Sequence, residues 1–209
     1  MIYKEWFVNF KFPGYEKTKF VDGLPEGWKK TNLFDVAVIK YGYAFKGKYF
    51  NEDGNGYPII RIRDIPKQEI RFFTTEKTDE SYIVKRGDLV IGMDGEFHIN
   101  NWCKDDAYLV QRVCRIRPKD ILLNGYLSQA IIEPIKYYES TIVGATVSHL
   151  GHKHLKEIEI IIPNEITYKQ LSVFNYYLNQ KVKLASMNSL LKQARDILLP
   201  KLMSGEIEV

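Results

Sequence analysis

The sequence predicts an α+β chain: one mainly β body with a few helices, followed by a long C-terminal helix that packs as a coiled coil. Two observations carry this prediction. Between residues 31 and 163 the apolar residues fall in short runs bounded by Gly, Pro, Asn or Asp, the pattern of strands and turns. From Glu165 onward the period changes, and Leu184, Met187, Leu191, Ala194 and Leu198 recur at spacings of three and four, the seam of a helix that packs on another helix.

Residues 1–30 alternate aromatics with charges (Tyr3, Trp6, Phe7, Phe10, Phe12) before Pro13-Gly14 and the turn-rich DGLPEGW, and they read as a short packed arm ending in a loop. Residues 31–163 hold the β-type runs DVAVIKYG, YPIIRIRDI, SYIVKRGDLVIGM and AYLVQRVCRI, with one helical interruption expected near Leu123 to Tyr138. The segments Gly42 to Gly56 and Met93 to Asp106 are long, polar and glycine-bearing, as functional loops are. Residues 164–209 form the helix and a tail: thirty-five residues free of Pro and Gly, from Glu165 to Leu199, give roughly 50 Å at about 1.5 Å per residue. Phe174, Tyr177 and Leu178 extend the seam upstream, Pro200 is expected to stop the helix, and Ser204-Gly205 begins the tail. Such a helix outruns a small domain, so its seam needs either the body of its own domain or another long helix, and a partner helix is the favoured reading.

Composition bounds the function. A hydrophobic fraction of 45% with 13% aromatics is enough for a core, which excludes a disordered tail. A net charge of +4 permits a polyanion partner without demanding one. Cys103 and Cys114 have no CxxC spacing, which points away from a disulfide framework or zinc knuckle and toward a reducing cytoplasm. No window approaches the ~20 apolar residues of a membrane span, and MIYKEWFVNFKF is charged too early for a leader, so a soluble chain that is not exported is expected.

The usual cofactor cradles are missing: there is no GxxxxGK[ST] loop, no GxGxxG after a strand and no Asn-Pro-Pro-aromatic tetrapeptide. Asp94, Glu96 and His98 follow an apolar run, where acids gather a divalent metal in nucleases, but no acid-x-Lys partner follows, so a recognition loop is the better reading. His149, His152 and His154 in HLGHKH lack a nearby fourth zinc ligand, and beside a Gly-Thr-Ser loop they suit phosphate and base contacts. No metal site is expected. Lys46 and Lys48 flank Gly47 amid aromatics, and strand alternation would place Arg61 and Arg63 on one face with Ile60 and Ile62 opposite. Arg112, Arg115 and Arg117 add to the basic count, with Arg115 and Arg117 at the end of a core strand.

Taken in order, YKEWFVNFKFPGYEKTKFVDGLPEGW, YPIIRIRDI, KRGDLVIGMDGE, VQRVCRIRP, GATVSHL with IEIIIP, and LLPKLMSGEI resemble the specificity (S) subunits of type I restriction-modification systems across nearly the whole chain. Full-length members of that family carry two target recognition domains, each followed by a long helix, and the two helices pack antiparallel as a spacer between half-sites. This sequence resembles one such unit, the target recognition domain at 31–163 and the spacer helix at 164–209. The resemblance implies sequence-specific binding of double-stranded DNA in complex with a methyltransferase (M) subunit and a restriction (R) subunit. S-adenosylmethionine for adenine methylation would sit on the methyltransferase partner, with no cofactor and no catalysis here.

One unit alone suggests a half-size subunit or the C-terminal half of a longer product; two copies packed by their long helices would restore the symmetry and read an inverted repeat. Its joint would be Phe174, Leu178, Leu184, Met187, Leu191, Ala194 and Leu198. Its DNA-facing candidates are Lys46, Lys48, Arg61, Arg63, Glu96, His98, Thr146, Ser148, His149 and Lys153. Lys and Arg would neutralise phosphates, Arg could fork onto guanine, and Glu could accept from the cytosine amino group. Two rival readings are an assembly or inhibitory module that occupies the methyltransferase subunit without reading DNA, and a nuclease using Asp94, Glu96 and His98.

Overall fold

The computed structural model describes residues 2–142 and 148–207. A π-helical turn, Lys4–Val8, opens the chain and turns Phe7 inward. The hairpin β1 (Phe20–Val21) and β2 (Leu24–Pro25) leads to β3 (Lys29–Asn32). Asn32 caps the short helix α1 (Leu33–Val36), its side chain accepting the Phe34 N–H at 2.9 Å. There follow β4 (Ala37–Tyr41), β5 (Phe50–Asn51), β6 (Tyr57–Ile60), α2 (Asp64–Lys67), β7 (Phe73–Thr74), β8 (Ile83–Val84) and β9 (Leu89–Gly92). Then come β10 (Ile99–Asn101), β11 (Ala107–Leu109), β12 (Val113–Pro118), α3 (Asn124–Ala130), α4 (Ile132–Thr141), α5 (His152–Lys156) and β13 (Glu159–Ile162). Two helices close the chain, α6 (Glu165–Gln170) and the 32-residue α7 (Ser172–Met203). The expected mainly β body with a long C-terminal helix is met, and the helix expected near Leu123 to Tyr138 is α3 and α4.

Two sheets build the body. The four-stranded sheet runs β10-β9-β12-β4, antiparallel throughout; the five-stranded sheet runs β5-β7-β6-β11-β8, with β6 and β11 parallel. Side chains of β9 show how the layers stack. Leu89 and Ile91 join the large core with α3 and the arm, while Val90 between them joins Ile60, Ala107 and Leu109 of the five-stranded sheet. All of β9 is therefore buried, which is why KRGDLVIGM shows an unbroken apolar run and no alternation.

The arm lies over α3 and the first turns of α7. Phe7 stands 4.6 Å from the Tyr126 ring and 5.2 Å from Trp28, and Trp6 meets Phe174 edge-on at 5.8 Å. Gly125 makes the α3–α7 crossing possible: a Cβ there would stand 2.3 Å from the Phe174 carbonyl. β13 returns to pair with β3, bringing residues 159–162 beside 29–32.

Four sequence expectations are corrected. The run YPIIRIRDI is a strand only to Ile60, because the Asp64 carboxylate accepts the Arg61 N–H at 2.9 Å and bends the chain into α2. Arg61 and Arg63 therefore share no strand face. The run AYLVQRVCRI is two strands in different sheets, β11 and β12, hinged where Arg112 takes φ +70°. Pro200 does not stop α7, which continues to Met203 and ends where Gly205 takes φ +72°. Finally, Phe174 and Leu178, expected in the joint between copies, are 6% exposed and packed within this chain. Their partners are α3 and the arm, so the joint candidates reduce to residues beyond them.

Candidate nucleic-acid interface

Both sheets deliver their loops to one place. Ile60 ends β6 beside Leu109 at the end of β11, and Gly92 ends β9 beside Val113 at the start of β12. The segments that follow or join these strands line a cleft of about 390 Å³ formed by Arg61, Ile62, Arg63, His98, Gln111 and Arg112. Residues 148–150 are tied to the segment after β9: Gly95 donates its N–H to the Ser148 carbonyl at 3.0 Å, and Leu150 donates to the Met93 carbonyl at 2.8 Å. The His149 ring Nδ1 sits 2.5 Å from Asp94 Oδ1, and Arg112 Nη1 lies 3.4 Å from both Asp94 and His149.

The arginines divide sharply. Arg61 places Nε and Nη2 on the two Asp64 oxygens, 3.0 Å each, and stacks on Phe72 at 3.9 Å, so its charge is neutralised within the loop. Arg117 is likewise held by Asp88 through two 2.6 Å contacts, and Arg115 reaches the Ile83 carbonyl from a buried position. Arg63 and Arg112 are exposed. Arg112 is thus the cleft arginine that the candidate list did not contain, and Ile62 and Gln111 line the cleft beside it. A strand pattern cannot reveal it, since the left-handed turn that aims it lies inside a continuous apolar-basic run.

The other candidates fall in three groups. Glu96, exposed, and His98, partly exposed, face each other across 3.5 Å on the cleft rim, and Ser148 donates its hydroxyl to the Ile142 carbonyl at 2.9 Å. Lys153 is exposed on α5, and among the described residues no contact joins it to the cleft. Lys46 and Lys48 are exposed on a 3-10 turn, where the Lys46 N–H donates to Glu76 at 2.8 Å and the Lys48 ammonium lies 4.9 Å from the Tyr49 ring centre. They border an aromatic row in which Tyr108 stacks between Phe45, at 5.4 Å, and Tyr57, at 4.6 Å. Thr146 lies outside the described residues.

Chemistry by metal finds no constellation among the described residues. Asp94 is occupied by His149 and Arg112, and the three histidines of HLGHKH have three separate partners. His152 meets the Tyr41 hydroxyl at 2.8 Å, and His154 Nδ1 accepts the Gly151 N–H at 3.0 Å. Burial pushes the Tyr41 hydroxyl up to about 12, so it remains protonated beside His152. Burial likewise pushes the Cys114 thiol up to about 12 and makes it an inert core residue.

The first half of α7 packs on the body, but beyond Lys183 its apolar residues face outward. Leu184 is 57% exposed, Met187 48%, Leu191 65% and Leu198 47%, and Leu190 and Ile197 beside them are as open. Ala194 shares that exposed stretch. No helix among the described residues is long and apolar enough to cross a membrane, so this face is not a span.

An open basic cleft at the joined ends of two sheets, with a helix projecting past the body, is an architecture for recognition at a surface. The chain belongs to the family described as Type I restriction modification DNA specificity domain, whose model matches residues 25–193. It is 29% identical over 190 residues to the Type I restriction enzyme EcoBI specificity subunit of Escherichia coli, a match that takes in 88% of this chain and 40% of that protein. It is 27% identical over 202 residues to the HindI specificity subunit of Haemophilus influenzae, taking in 88% of this chain and 42% of the relative. The fold is also that of the type I restriction-modification S subunit from M. genitalium, with a TM-score of 0.57 at 18% identity over 90% of this chain and 48% of the other. The chain thus spans less than half the length of these relatives.

Proposed function

We propose that this chain is the sequence-specific DNA-recognition subunit of a type I restriction-modification complex, acting as a half subunit paired with a second copy. The family match over residues 25–193 carries the reading. The open basic cleft and the uncovered apolar face of α7 support it.

In this reading residues 31–163 recognise duplex DNA and residues 164–209 hold the two copies apart at a fixed spacing. Arg63, Lys46, Lys48 and Lys153, all exposed, would neutralise phosphates and make binding salt-dependent. Glu96, His98, Thr146, Ser148 and His149 would line the base-reading side, whereas Arg61 would hold its loop through Asp64 and contact no DNA. Leu184, Met187, Leu191, Ala194 and Leu198 would meet the same residues of the second copy, an isologous contact that yields a two-fold-symmetric reader. A methyltransferase subunit, carrying S-adenosylmethionine, would methylate adenine at N6 and a restriction subunit would cleave, both in the cytoplasm, while this chain catalyses nothing.

The test is a genome-wide map of N6-methyladenine in cells expressing the chain with its methyltransferase subunit. The expected result is methylation within an inverted repeat of fixed spacer. A split, non-palindromic target would remove the paired-half-subunit reading, and an absence of chain-dependent methylation would remove DNA recognition itself.

A further inference from the structure

The proposed function leaves open which side chain reads a base. Arg112 is set apart from the other arginines by three features. Its backbone occupies φ +70°, a left-handed conformation that an arginine rarely adopts. That turn is fixed from both sides: Met93 donates its N–H to the Arg112 carbonyl at 2.8 Å, Gln111 donates to the Tyr43 carbonyl at 2.9 Å, and Val113 donates to the Val110 carbonyl at 3.1 Å. Third, among the described residues only Nη1 of the guanidinium has protein partners, Asp94 and His149 at 3.4 Å, while Nε and Nη2 are without one.

From this geometry we infer that Arg112 is the specificity-determining residue that reads a guanine, with Asp94 and His149 as positioning residues behind it. The inference rests on the DNA-recognition reading above and names its chemistry. A guanidinium anchored at one nitrogen by a carboxylate has its planar orientation set, and the remaining donors present the paired fork that matches guanine O6 and N7 in the major groove. A phosphate can take the same fork but is served as well by a lysine's point charge, so it is the salt slope and the loss of preference at a single base pair that tell the two contacts apart. Exposed Arg63 in the cleft suits the phosphate contact. Asp94 is itself held in place by the His149 contact at 2.5 Å and by the strand-like pairing of Asp94 with His149.

The experiment selects bound sequences from a randomised duplex library, using the full chain with its methyltransferase subunit. Wild type is compared with Arg112→Lys, which keeps the charge and loses the fork, and with Arg112→Gly, which removes the side chain where glycine suits the backbone. The expected result is a motif from wild type that contains a G·C pair in each half-site. Preference at that pair alone should fall about 10- to 100-fold in both variants, and Asp94→Asn should weaken the same pair without moving the others. A motif kept at every position by Arg112→Lys and Arg112→Gly would overturn the inference while leaving DNA recognition intact. So would a uniform loss across all sequences with a salt slope reduced by about one, the mark of a phosphate contact. Absence of any motif from wild type would overturn the underlying reading, and this inference with it.

Discussion

Arg117 lies within β12 and Arg112 immediately precedes it, and the two have opposite surroundings. Arg117 is paired to Asp88 between the sheets, while Arg112 stands 52% exposed at the rim of a cleft. α7 repeats the contrast in apolar residues: Phe174 is 6% exposed against Tyr126 and the arm, whereas Leu191, on the same helix, is 65% exposed. The interior of this molecule uses its side chains on itself; the cleft and the outer helix leave equivalent side chains exposed. Folding explains the first region. The second is what the proposed DNA and second copy would cover.

That contrast can be broken by substitution. Phe174→Ala removes a ring packed on Trp6, Phe7 and Tyr126, and should cost about 3–5 kcal/mol in chemical denaturation. Asp88→Ala leaves the Lys85 N–H without its acceptor and Arg117 with only the Ile83 carbonyl; because Arg117 is 35% exposed, the cost should be about 2–3 kcal/mol. Raising the pH tests the buried neutral acids. The Tyr3 and Tyr41 hydroxyls and the Cys114 thiol are each pushed up to about 12 by burial. Their folded values lie above the unfolded ones, so the stability they contribute is present below about pH 9 and is lost as pH rises toward 12, which should appear as a lower Tm at about pH 10.5 than at about pH 8. Leu191→Asp should change the stability of the isolated chain by no more than about 0.5 kcal/mol, since the side chain is 65% exposed. Light scattering should nevertheless show half the wild-type mass, and an unchanged mass would remove the proposed joint.

Elements that depend on local pattern were legible in the sequence. Short apolar runs between turn residues announced the strands, and the change of period at Glu165 announced the long helix. The aromatic arm could be read as packed, although its target, Tyr126 and Phe174, could not. What escaped depends on long-range pairing or on a single carboxylate. Asp64 ends a strand that hydropathy would continue, and Gly125 lets α3 meet α7 closely enough to bury Phe174 and Leu178. Arg112 was hidden most completely, because the run AYLVQRVCRI crosses from one sheet to the other without a Gly or Pro to mark the turn.

The central claim is that the cleft, and not the surface at large, discriminates between DNA sequences. It is tested most directly by competition between a duplex carrying the mapped target and a scrambled duplex for the assembled complex. Wild type is compared with an Arg63→Glu, Arg112→Glu double variant and with Lys201→Glu near the end of α7. The account predicts that the preference for the target collapses toward one in the double variant and stays at the wild-type value in Lys201→Glu; an undiminished preference in the double variant would contradict it.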